Sequence, residues 1–80
     1  MKQILTLKTR NLRSVVVFDT ENEFLYERVY AISTINNKGE NLVRFGNETQ
    51  MLSILVGYRY SVTPDTKEAY ETFMKENYYR

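Results

Sequence analysis

The sequence contains no cysteine and no histidine. Without cysteine the chain cannot form a disulfide, a thiol nucleophile or a thiolate ligand for zinc. Without histidine it lacks the commonest general base and the commonest metal ligand. These absences exclude a thiol enzyme and a serine–histidine triad, and they favour a protein that binds over an enzyme.

Glycine and proline are also scarce, with three glycines and one proline in 80 residues. Gly39, Gly46 and Gly57 are too far apart to build a phosphate-binding loop, so we expect no nucleotide cofactor and no cofactor of another kind. No internal repeat, low-complexity stretch or linker divides the chain. The sequence therefore predicts a single domain over residues 1–80.

The chain has no large excess of charge of one sign, because its formal net charge is only +1. This argues against a protein that works mainly by general attraction to phosphate. The charges are nevertheless ordered along the chain. The first four are basic: Lys2, Lys8, Arg10 and Arg13. The next four are acidic: Asp19, Glu21, Glu23 and Glu27. We expect the two ends of one early hairpin to differ in sign, with the acids facing water rather than a metal ion.

Long hydrophobic runs are missing as well. The first apolar run, Ile4 to Leu7, is interrupted by Thr6 and is too short for a signal peptide or a membrane span. A cytoplasmic location without membrane contact is the simplest expectation.

The pattern in the first half of the chain predicts two hairpins. Residues 2–8 and 13–19 are typical of strands, and a tight turn is expected to join them because Asn11 tolerates a positive φ. Residues 24–35 and 40–45 indicate a second pair of strands. A helix remains the alternative for residues 24–35, because Leu25, Val29 and Ile32 have helical spacing.

The second half predicts two helices. Asn47 and Gln50 match a capping box that begins a short buried helix over residues 51–56, with a strand as the alternative. Alternation over residues 58–62 predicts a fifth strand. Thr63, Pro64 and Asp65 then mark the start of a final helix over residues 64–78.

The predicted fold is thus α+β: a small antiparallel sheet of four to five strands with a short buried helix and a C-terminal amphipathic helix, in the order ββββαβα. The expected core residues are Val16, Phe18, Ile32, Leu42, Leu55, Phe73 and Met74. We also expect Tyr70 and Tyr78 to pack on the apolar face of the last helix.

The seven tyrosines are the best material for a binding surface, since each covers a large area at low entropic cost. The candidate partner-binding residues are Lys8, Arg10, Arg13, Tyr58, Arg59, Tyr60 and Tyr79. We interpret the chain as a non-catalytic protein-binding module, a small regulator or inhibitor of another protein. Its size and lack of catalytic residues are typical of small accessory proteins, including virus-encoded inhibitors of host defence.

Two further hypotheses concern the partner. The same cations and rings suit RNA or single-stranded nucleic acid, with arginine on phosphates and tyrosine stacked on bases. A homodimer is also expected to be favourable, because a thin core and an exposed sheet edge both gain from pairing.

Overall fold

Four antiparallel strands and two helices make up residues 1–79, the part of the chain described by this computed structural model. The elements are β1 (Lys2–Lys8), β2 (Ser14–Phe24), β3 (Glu27–Ile35), β4 (Asn41–Gly46), α1 (Glu48–Val56) and α2 (Pro64–Asn77). The strands lie in the order β1-β2-β3-β4. The α+β class and both predicted hairpins are confirmed, and residues 24–35 belong to strands rather than to a helix.

Both helices pack on one face of the sheet. α2 contacts β1, whereas α1 contacts β3 and β4. Alternate strand residues on this face meet the helices in one core cluster, in which Leu7, Val15, Val17 and Leu55 have no exposed surface. Because side chains alternate along a strand, every second residue of the sheet points to the opposite face, which neither helix covers.

Four of the seven expected core residues contribute to this cluster. Ile32, Leu55 and Met74 are buried, and Phe73 is half-buried against them. Truncating any of the buried three should create a cavity.

The other three expected core residues are corrected by the sheet register. Val15 and Val17 take the helix-facing positions of β2, so Val16 and Phe18 point to the uncovered face and are only half-buried. The apolar run from Val15 to Phe18 is therefore fully buried on one face of β2 only. Leu42 is on the helix-facing side opposite Thr34, but a groove rather than a helix lies over it, and it is 56% exposed.

The predicted fifth strand is not formed, so the order is ββββαα. Residues 57–61 follow α1 as successive turns, in which Tyr58 N–H donates to Leu55 O at 3.0 Å and Ser61 N–H to Tyr58 O at 3.0 Å. Only Val62 makes a β-bridge, with Thr9. Turns form here because a few residues must connect the end of α1 to the start of α2, which lies beside β1.

The tight β1–β2 hairpin is confirmed, but its positive φ belongs to Leu12, at 63°, and the Asn11 side chain bonds the Thr9 hydroxyl instead. The expected packing of Tyr78 on the apolar face of the last helix is not observed. Tyr78 is 47% exposed because α2 ends at Asn77 and Tyr78 no longer follows the buried face of the helix.

The predicted helix starts are confirmed. Asn47 Oδ1 accepts from Gln50 N–H at 2.9 Å and Gln50 Oε1 accepts from Asn47 N–H at 2.9 Å, which completes the capping box of α1. Pro64 occupies the first turn of α2. Neither of the two helices in residues 1–79 is both long and apolar enough to cross a membrane.

Candidate functional site

The turn between β1 and β2 and the loop after α1 meet at one end of the sheet. Arg10 N–H donates to Ser61 O at 2.8 Å, and Thr63 N–H donates to Lys8 O at 2.9 Å. These bonds flank the Thr9–Val62 bridge. The fold thus brings the basic turn, residues 8–13, against the loop of residues 57–63, which carries three of the predicted partner-binding residues.

Buried Thr9 holds the basic turn in shape. Its hydroxyl bonds the Asn11 side chain and accepts from Arg13 N–H at 3.1 Å, while Leu12 N–H donates to Thr9 O at 3.0 Å. These bonds fix the backbone of the turn from within, while Arg10 and Arg13 remain exposed.

Three arginines at this end make no ion pair with any residue among 1–79: Arg10, Arg13 and Arg59. The Arg59 guanidinium instead lies 5.4 Å from the ring centroid of Tyr60, a cation–π contact. Unpaired guanidinium groups next to an aromatic ring are available to bind a carboxylate or a phosphate.

Lys8 differs from these arginines because its ammonium lies 3.8 Å from the Asp65 carboxylate at the start of α2. The Thr63 hydroxyl above all, and to a lesser extent Lys8, hold the pKa of Asp65 below its usual value. The pair is exposed, so it contributes little to stability. Lys8 is consequently the predicted cation least free to meet a partner.

Five of the seven predicted residues line two grooves on either side of the loop. Arg59, Tyr60 and Tyr79 line one groove of about 330 Å³, beside α2. Arg13 and Tyr58 line another of about 390 Å³, beside β4. Lys8 and Arg10 line neither groove.

The tyrosines differ in exposure as well. Tyr60 is 82% exposed and Tyr79 is 60% exposed, as predicted, whereas Tyr58 is half-buried and packs against the core. Tyr60 and Tyr79 therefore offer more contact area to a partner than Tyr58 does.

The acidic residues lie at the other end of β2, and they are spread out. The Asp19 carboxylate pairs with Arg28 at 3.4 Å, and the Glu21 carboxylate lies 3.6 Å from the amino group of Met1. Glu27 accepts from the Asn47 side chain at 2.9 Å. Within the described range no three acidic side chains are grouped closely enough to hold a metal ion.

The structure adds a feature that the sequence did not reveal, a projecting hairpin of residues 20–29 that we call the arm. β1 pairs with β2 only as far as Asp19, and β4 pairs with β3 only as far as Tyr30. The strands of the arm are therefore paired only with each other. The pairing of β2 with β3 shifts register between Asp19 and Glu23, so the length of the arm is given by residues 27–29 of β3. At about 3.3 Å per residue, the arm extends about 10 Å beyond the four-stranded sheet.

The tip of the arm is apolar and exposed. Phe24 is 70% exposed, Leu25 is 76% exposed and Tyr26 is 98% exposed. Leu25 and Tyr26 form the turn with φ values of 52° and 65°, in the left-handed region. That region costs an L-residue other than glycine or asparagine about 1–2 kcal/mol, so the fold itself would be better served by Asn-Gly.

A signal for the arm was present in the sequence. Three large apolar residues, Phe24 to Tyr26, stand between Glu23 and Glu27 at the position where two strands must turn. A turn normally carries glycine, asparagine or aspartate. Apolar residues in their place indicate a role other than folding.

No protein-family model matches the chain, and neither a curated protein nor a solved structure matches it.

Proposed function

We propose that the protein is a non-catalytic protein-binding module that regulates or inhibits another protein by occupying its surface. The observation that carries this proposal is the tip of the arm, where Phe24, Leu25 and Tyr26 are all at least 70% exposed. Most of the surface of these three side chains faces water in the free chain, although Phe24 also lines a groove of about 300 Å³ with Phe45 and Gln50.

Burial of this tip in a partner protein would provide enough free energy to drive binding. Moving a large apolar side chain out of water contributes about 1.5–3 kcal/mol, and the tip offers three adjacent ones. Tyrosine is also enriched among the residues that dominate binding energy. The left-handed backbone at Leu25 and Tyr26 supports the same interpretation, because strain without a folding benefit is concentrated at functional sites.

The charge beside the tip indicates the kind of partner. Glu23 and Glu27 flank the apolar residues and are both exposed. A partner with an apolar cleft edged by lysine or arginine would match the tip in both hydrophobicity and charge. We place this partner in the cytoplasm, which stays a prediction from the sequence.

Affinity capture with matched variants tests the proposal. The Leu25→Asn/Tyr26→Gly double variant removes the apolar tip while keeping a favourable turn. Leu12→Asn is the control, because Leu12 is also 70% exposed with a positive φ, but lies in the other turn. We expect wild type and the control to retain a stoichiometric protein from a lysate of the source cells, before and after nuclease treatment, and the double variant to lose it.

The opposite result would show that the tip is not the binding surface. Retention of the same protein by the double variant, with its fold verified by circular dichroism, would remove the tip from the proposal. Recovery of nucleic acid with no stoichiometric protein would favour the second candidate function.

That second candidate is binding of RNA or single-stranded nucleic acid at the opposite end of β2. The observation in its favour is the set of arginines without an ion pair among residues 1–79, Arg10, Arg13 and Arg59, of which Arg59 lies against the ring of Tyr60. If each arginine contacts a phosphate, affinity for a fluorescent oligonucleotide falls steeply with salt, and each arginine-to-alanine change flattens the slope. Binding to a protein through apolar residues depends much less on salt.

A further inference from the structure

Among residues 1–79, no strand pairs with the outer edge of β4, and Arg44 is its one charged residue. β4 is the last strand of the sheet, and residues 41–45 are all exposed. An edge strand usually avoids pairing through proline, lysine, a bulge or a covering loop. β4 contains no proline or lysine, its pairing with β3 shows no register shift, and Leu42, Val43 and Phe45 are among its exposed residues.

The hydrogen-bonding groups of this edge can be assigned from the hairpin. Asn36 N–H donates to Glu40 O at 3.0 Å, and the ladder continues without a shift to the pair of Tyr30 and Gly46. Because bonding alternates along an antiparallel ladder, the even-numbered residues of β4 bond β3. The N–H and C=O groups of Asn41, Val43 and Phe45 therefore point outward, ready to pair with another strand.

We propose that β4 pairs with β4 of a second copy of this chain, antiparallel and about a two-fold axis at Leu42. Opposite residues in such a pair must point to the same face of the sheet, so the axis passes beside a single residue. Its position is decided by charge. With the axis at Leu42, Arg44 of each chain lies opposite Glu40 of the other, and the two oppositely charged pairs are formed at once.

The neighbouring registers lack this complementarity. An axis at Arg44 places two arginines opposite each other, which destabilises a strand pair. An axis at Val43 places Arg44 opposite Leu42 and leaves Glu40 opposite no charge. In the free chain Arg44 has no ion pair among residues 1–79, so its charge is available to the second copy.

The dimer also explains the uncovered Leu42. This side chain faces the groove of about 390 Å³ between β4 and the end of α1, which Ile32 and Ile54 also line. At the two-fold axis the two Leu42 side chains meet on that face and cover each other. The dimer uses a surface separate from the arm, so the proposed function does not depend on it.

A cysteine scan tests both the contact and the register, because the chain has no native cysteine. In an antiparallel pair without mutual hydrogen bonds the Cα atoms are about 4.5 Å apart, within the range of a disulfide. We expect Leu42→Cys to form a disulfide-linked dimer under mild oxidation, while Val43→Cys and Arg44→Cys remain monomeric on a non-reducing gel. Crosslinking of Val43→Cys or Arg44→Cys in preference to Leu42→Cys would overturn the proposed register, and no crosslinking of any variant would overturn the dimer.

A charge exchange tests the pairing without a covalent bond. Sedimentation equilibrium of the wild type is expected to give twice the chain mass of 9.5 kDa. Arg44→Glu and Glu40→Arg should each weaken dimerisation about tenfold, since each change places like charges opposite each other twice. The double variant Glu40→Arg/Arg44→Glu should recover the wild-type affinity. A monomeric wild type at high micromolar concentration, or a double variant as weak as the single ones, contradicts the proposal. Both single changes lie at exposed positions, and circular dichroism verifies that the variants are folded.

Discussion

The Tyr70 hydroxyl donates a hydrogen bond to the backbone carbonyl of Leu55 at 2.8 Å and so connects α2 to the end of α1. Tyr70 is buried, and this burial raises the pKa of its phenol above the ordinary value of 10.0. Only the protonated phenol can donate this bond. The contact between the helices therefore depends on pH at the alkaline end of the range.

Tyr70→Phe is expected to lower the free energy of unfolding at pH 7 by about 1 kcal/mol, because one net hydrogen bond is lost. The pH dependence has a definite sign. Because the pKa of Tyr70 is higher in the folded state than in the unfolded state, its protonated phenol stabilises the fold fully below pH 10. This stabilisation is lost as the pH rises above 10. Urea unfolding between pH 7 and pH 11 should therefore show a smaller alkaline loss in Tyr70→Phe than in wild type. Tyr60→Phe, which alters an exposed phenol, is the control and should follow wild type.

Truncation of one buried leucine and one exposed leucine should show which of the two belongs to the core. Leu55→Ala should lower the free energy of unfolding by about 2–5 kcal/mol, since Leu55 has no exposed surface and its removal leaves a cavity. Leu42→Ala in dilute monomeric protein should cost less than about 1 kcal/mol, because Leu42 is 56% exposed. Equal losses in chemical denaturation would show that Leu42 belongs to the core after all.

Alanine substitution of the N-cap residue should destabilise the protein more at α1 than at α2. Asn47→Ala removes a side chain that caps α1 and should cost about 1 kcal/mol. Thr63→Ala should cost less, because the Thr63 side chain makes no capping hydrogen bond to the backbone of α2. Thermal unfolding of both variants measures the difference, and a larger shift for Thr63→Ala would contradict it.

Replacing the tip of the arm should stabilise the arm itself. Asn-Gly at positions 25 and 26 adopts positive φ with little strain, so Leu25→Asn/Tyr26→Gly relieves a cost of about 1 kcal/mol or more. Hydrogen exchange of the amides in residues 20–29 should become slower. Faster exchange in that segment would show that Leu25 and Tyr26 stabilise the hairpin.

Elements with local signals could be predicted from the sequence. The capping box of Asn47 and Gln50 and the proline at the start of α2 act within one turn of chain, so their interpretation needs no tertiary information. The same is true of the alternation in β1. Local signals were sufficient for the fold class and for the type and approximate position of all six elements, although they also predicted a strand over residues 58–62 that does not form.

Features that depend on distant partners could not be predicted in this way. The apolar run from Val15 to Phe18 predicts a strand but not which of its faces meets the helices, since that follows from the register with β1 and β3. The alternating residues 58–62 lack a partner strand and form turns. The arm projects because the pairing of β1 and β4 ends before residues 20–29. No residue within the arm indicates where β1 and β4 end.

The candidate site likewise combines features that the sequence predicts locally with features that depend on tertiary contacts. The basic turn was recognisable from composition, whereas its contact with the loop after α1 depends on the Thr9–Val62 bridge between distant parts of the chain. The groove that joins Tyr79 to Arg59 and Tyr60 is likewise a product of how α2 packs.

β2 is one continuous strand of 11 residues with the basic turn before it and the tip of the arm after it. Hydrogen-bonded neighbours lie on both sides of residues 14–19, whereas the pairing of β2 with β3 shifts register between Asp19 and Glu23, where Glu21 has a φ of 63°. The strand therefore joins the two surfaces through an irregular section rather than as a straight rod. Two molecules bound at its ends would contact different surfaces and so would not compete with each other.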